Sequence, residues 1–148
     1  MSQTSTTPSN HVANNSSSRP TRRPGPWAVA ALLIYWTALG IATHIPLRMA
    51  KRVQHGDKLV HLVAYAGLAS LLYVVVALFR RVTWKTHLAM FVAIAVYATA
   101  DELLQDFVPH RTSDVKDWSA DLLGAGLSLL LCGAVHRRFF SGAAEREE

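Results

Sequence analysis

Four apolar runs dominate this chain, and each is close to the length that crosses a hydrocarbon core. They span Trp27–Leu47, Leu59–Phe79, Thr86–Ala100 and Trp118–Val135. A core about 30 Å thick needs roughly 20 apolar residues in a helix rising about 1.5 Å per residue. The first two runs, about 21 residues each, meet that length unaided. The third is only about 15 residues long. Its helix is therefore expected to continue through Asp101-Glu102-Leu103-Leu104-Gln105 to Phe107, with Pro109 ending it. The fourth has about 18 residues and carries Asp121 near its start.

Nothing in these runs alternates as a half-buried strand would, and no internal repeat is visible. The expected fold is all-α: an integral membrane bundle of four transmembrane helices, up-down-up-down, over residues 27–138. Residues 1–26, rich in Ser, Thr, Asn and Pro, are expected to form a disordered polar tail. Residues 139–148 are expected to form a second polar tail. Ala38-Leu39-Gly40 resembles a signal-peptide cleavage site, but the apolar run continues past it and reads as a retained span.

Charge placement supports this reading. Only 17% of residues are charged, against about 25% in soluble domains. The formal net charge of +5 comes mainly from Lys and Arg beside the apolar runs. That points to lipid headgroups and membrane orientation rather than nucleic acid. Nine of the 15 basic residues fall in the N-terminal tail, the Arg80–Lys85 loop and the C-terminus. The positive-inside rule then places both termini in the cytoplasm of a multi-pass cell-membrane protein. The single cysteine, Cys132, excludes an intrachain disulfide.

The polar residues are concentrated between Asp101 and Asp121, a stretch that holds six of the ten carboxylates together with Gln105, His110, Arg111 and Lys116. Ionisable groups near lipid are costly, so such a stretch is a candidate site. Counting helix rise from the opposite bilayer face puts Glu102 and Asp121 at about 24 Å, Tyr65 at about 22 Å and His44 at about 26 Å. His61 and Asp57 lie one and two turns above Tyr65. Several helices thus bring polar groups to one layer.

Asp57 and Asp117 are placed to begin helices running inward, where a carboxylate complements the helix dipole. Asp101 and Glu102 lie near a helix C-terminus and need compensation from Arg111, Lys58, a cation or a proton. His61 is expected to hydrogen-bond Glu102 or Asp57, and Tyr65 to pack. Arg111 is suited to clamp a carboxylate or phosphate. Ala120, Gly124 and Ser128 recur every fourth residue, which favours close helix packing. No dense metal-ligand motif is present, and neither a metal nor a cofactor is expected.

Two blocks resemble the VanZ-like family. Asp57-Lys58, His61, Tyr65 and Leu68 are similar to its first block. Asp101-Glu102, Gln105, Phe107, Pro109, Arg111, Asp117 and Gly124 are similar to its second. His110 stands where Gly is usual, and Asp121 where Asn is usual. The resemblance implies a bacterial cell-envelope membrane protein, in a family named for a protein linked to teicoplanin resistance. The ligand-binding set is expected to be Asp57, His61, Tyr65, Glu102, Gln105, Arg111, Asp117 and Asp121. The expected partner is an anionic membrane lipid, a lipid-linked cell-wall intermediate or a lipoglycopeptide. No catalytic residue is expected under that reading. The alternative is a membrane hydrolase or transferase acting on a lipid phosphate, with His61 and Glu102 as acid and base.

Overall fold

The computed structural model describes residues 25–44, 56–109 and 113–140, with the side chains of Asp57 and Phe140 outside that description. The helices are α1 (Pro26–His44), α2 (Gly56–Phe79), α3 (Trp84–Gln105) and α4 (Val115–Phe140). All four are long and apolar enough to cross a membrane. Large apolar side chains such as Ile34, Val60, Val63, Val96, Leu127 and Leu130 lie exposed around the bundle. In water such a belt would be an aggregation surface, whereas in a bilayer it is the lipid-facing side.

Helix ends differ from the sequence expectation in ways local chemistry explains. α3 starts at Trp84, with Thr83 as its N-cap: the Thr83 hydroxyl accepts from the Thr86 N–H and the Thr86 hydroxyl from the Thr83 N–H. It stops at Gln105, short of Phe107, because Asp106 caps it and turns its carboxylate to the Ser113 N–H (2.7 Å) and hydroxyl (3.1 Å). α4 begins three residues before Trp118. Asp114 precedes it and accepts from the Lys116 N–H at 2.9 Å, an N-capping bond. Asp114 thus caps the helix, and Asp117 lies within its first turn.

The core stripes follow helical spacing. α2 contributes Tyr65, Leu68, Ala69 and Tyr73; α3 contributes Met90, Ile94 and Ala98; α4 contributes Ala125 and Leu129. Inside lipid the hydrophobic effect does not drive helices together, so close packing and interhelical hydrogen bonds must. α2 and α4 form the tightest pair. A Cβ at Gly124 would overlap the backbone carbonyl of Leu62. Further along both helices, the Ser70 and Ser128 hydroxyls meet at 2.7 Å. The two helices run parallel, so both N-termini lie at the same end. α1 is joined to α2 by the Tyr35 hydroxyl on the Ala64 carbonyl (2.9 Å). α3 is joined to α4 by the Trp118 indole on Thr99 (3.1 Å). At the opposite end Tyr73 packs against His87 and His136.

Candidate functional site

The core stripe of α3 turns polar without changing face. After Met90, Ile94 and Ala98 the next inward positions are Asp101, Glu102 and Gln105, all buried. α4 does the same in reverse, with Asp121 one turn before Ala125. α2 supplies His61 and Tyr65, one turn apart on the stripe that continues into Ala69. α1 supplies Thr43 from its last turn. The ends of four helices therefore deliver polar groups to one place.

Asp101 is the most heavily hydrogen-bonded of them. Thr43 Oγ1 donates to its Oδ1 at 2.9 Å. Tyr65 Oη donates to Oδ2 at 3.3 Å, and Gln105 Nε2 to the same oxygen at 3.4 Å. His44 Nδ1 lies 3.7 Å from Oδ1 while donating to the Gly40 carbonyl at 2.8 Å. This carboxylate joins α1, α2 and α3.

Asp121 forms the second centre. Its Oδ1 accepts from His61 Nδ1 at 3.0 Å, both side chains being buried. The sequence expectation paired His61 with Glu102 or Asp57 and did not name Asp121; the Asp57 side chain lies outside the described residues. The close approach at Gly124 sets α2 directly against α4, which gives His61 a partner on α4. Glu102 instead accepts from the Asp114 backbone N–H through Oε1, tying α3 to the start of α4. It also lies within electrostatic reach of His61, Asp117 and Asp121.

The outer rim is an ion pair. Lys58 Nζ sits 2.9 Å from Asp117 Oδ1 and 3.4 Å from Asp114 Oδ2. The Lys116 N–H, and secondarily Lys58, hold the Asp114 carboxyl below the usual aspartate range. Among the described residues no group of three or more His, Cys, Asp and Glu is arranged to hold a metal ion.

Of the sequence candidates, His61, Tyr65, Glu102, Gln105, Asp117 and Asp121 all fall within this end of the bundle. Asp57 lies in the first turn of α2, with its side chain outside the description, and Arg111 lies outside the described residues. Thr43, His44 and Asp114, which the expected set does not include, also belong to this end of the bundle. Asp101 enters the sequence reading as a charge needing compensation and as part of the second resembling block. The signal for Asp101 was its place on the Met90–Ile94–Ala98 stripe, extended by one turn. Thr43 had no comparable signal.

The arrangement defines a class: a four-helix membrane protein with a buried acidic cluster, braced by His, Tyr and Thr, at one end of the bundle. The sequence profile of the VanZ/LLP1 family matches residues 3–136, and the chain belongs to that family. It is also 33% identical over 107 residues to an uncharacterized protein of Schizosaccharomyces pombe, a match covering 72% of this chain and 65% of that protein. The chain therefore spans about two thirds of the length of that curated relative. No solved structure matches.

Proposed function

We propose that the protein is a membrane binding protein that takes a phosphate-bearing lipid headgroup at the polar end of its bundle. The candidates are an anionic lipid and a lipid-linked cell-wall intermediate, or a lipoglycopeptide offering a carboxylate in place of the phosphate. One observation carries the reading that a ligand sits here, the phosphate itself falling to a basic residue because carboxylates repel it. A cluster that served only to fasten helices would satisfy its own acceptors, yet two buried carboxylate oxygens, on Glu102 and Asp121, have no partner among the described residues. The excess of basic residues at the opposite face favours cytoplasmic termini in the cell membrane, with the cluster facing outward. In a bacterial envelope that position would meet cell-wall precursors and alter sensitivity to glycopeptides such as teicoplanin. Arg111 is the candidate phosphate clamp. Native mass spectrometry of the wild type and Arg111→Ala tests it: the variant is expected to lose retained anionic lipid, and equal retention counts against the clamp.

A second reading rests on a different contact. His61 Nδ1 bound to the Asp121 carboxylate at 3.0 Å is the arrangement that orients an imidazole as a general base. It would suit a hydrolase or transferase of a lipid phosphate, with Glu102 as the acid. Turnover of a polyprenyl phosphate by the purified protein, lost in His61→Ala, would favour it over binding alone.

A further inference from the structure

The two unpartnered acceptors are Glu102 Oε2 and Asp121 Oδ2. Glu102 is 6% exposed and Asp121 1%. The second oxygen of each is already engaged, Glu102 Oε1 by the Asp114 N–H and Asp121 Oδ1 by His61. A buried acceptor left bare is costly, and more so when charged. The neighbouring cation does not relieve it, because Lys58 is turned to Asp117 and Asp114. Among the described residues Asp101, Glu102, Asp114, Asp117 and Asp121 face one lysine, Lys58, with His44 and His61 beside them. Among the described residues the cluster is therefore short of both positive charge and N–H donors.

We propose that Glu102 and Asp121 receive a primary ammonium group carried on the headgroup of a membrane lipid. This rests on the headgroup-binding reading above and narrows it to headgroups that bear an amine beside their phosphate. The chemistry selects the group. A primary ammonium brings one positive charge and three donors, enough for both free oxygens. A quaternary ammonium brings the charge and no donor. A hydroxyl brings one donor and no charge. Charge-assisted hydrogen bonds are about twice as strong as neutral ones, so the ammonium satisfies this pair best. The cluster reaches the surface at Lys58 and Asp114, whose side chains are 38% and 44% exposed, and Asp114 is bonded to Glu102. The competing occupant is a proton on one of the two carboxylates.

The test uses the full chain in detergent, with native mass spectrometry against equal amounts of phosphatidylethanolamine, phosphatidylcholine and phosphatidylglycerol bearing the same acyl chains. Phosphatidylethanolamine is expected to be retained about tenfold over phosphatidylcholine, the ratio one charge-assisted bond confers. Glu102→Gln and Asp121→Asn together are expected to abolish that excess, with helicity and melting checked by circular dichroism. Equal retention of the ethanolamine and choline lipids by the wild type would overturn the proposal in favour of a proton, as would an excess unchanged in the double variant. Preference for phosphatidylglycerol, with no excess of ethanolamine over choline, would overturn the ammonium while leaving headgroup binding intact. Retention of none of the three would count against both. Displacement by glycerophosphoethanolamine at the lipid's own concentration would overturn the lipid source and assign the two carboxylates to a soluble amine.

Discussion

Gly124 of α4 lies against the backbone carbonyl of Leu62 in α2, so closely that a Cβ would overlap it. The obstacle is backbone, which cannot swing aside as a side chain would. His61 is the residue before Leu62, and Asp121 lies one turn before Gly124, so the same approach that excludes a methyl brings imidazole to carboxylate at 3.0 Å. Gly124→Ala is expected to force the helices apart and destabilise the protein by about 1–3 kcal/mol, the usual range for overpacking. A lowered melting temperature in detergent checks this. Gly126→Ala is the control, since its Cβ would meet only the Phe91 ring at 3.5 Å, an ordinary contact.

Asp121 should tolerate amidation but not truncation. Asparagine keeps an oxygen that accepts from His61 Nδ1, whereas alanine leaves that buried nitrogen without the bond. Asp121→Asn is expected to melt within a few degrees of the wild type, and Asp121→Ala to lose about 1–3 kcal/mol. Equal losses for the two would show that the charge, and not the hydrogen bond, holds the helices.

Asp101 gives a third expectation, because two donors on different helices reach it. Tyr65→Phe removes the α2 contact (3.3 Å) and Thr43→Val the α1 contact (2.9 Å). Interhelical hydrogen bonds in membranes average about 0.6 kcal/mol, so each single loss should be small. The pair share one acceptor and should couple. The double variant is expected to cost more than the sum of the singles, since it strips Asp101 of two donors at once. A double-mutant cycle on melting free energies measures the excess.

The helices themselves were legible because membrane thickness imposes a length that periodicity and composition display directly. Polar depth was legible for the same reason: rise per residue put Glu102, Asp121 and Tyr65 at one height, and their neighbours in space bear that out. Pairing within the layer was not. Depth says that His61 meets a carboxylate, but that Asp121 is among its partners depends on which helices touch. That in turn depends on Gly124 and on the Ser70–Ser128 contact. Thr43 was invisible because a threonine near the end of an apolar run is ordinary in sequence and acquires a role only through Asp101. Asp114 was passed over because the apolar run begins at Trp118, whereas the helix begins where a cap is available.

Asp114 lies outside the spans and faces water, so its charge should set the acid limb of stability. The Lys116 N–H bonds its carboxylate and Lys58 lies nearby, and both hold its ionised form in the folded state. Its folded value is therefore below its unfolded value, near the ordinary 3.9 or so for aspartate. Stability from this group is fully present above that unfolded value and is lost as pH falls through the lower, folded one. The melting temperature is accordingly expected to fall on acidification below about pH 4. In Asp114→Asn that part of the decline should disappear, because asparagine still caps α4 but does not titrate. Melting curves of both proteins from pH 3 to pH 7 test this, and an acid limb identical in the two would exclude Asp114 as its source.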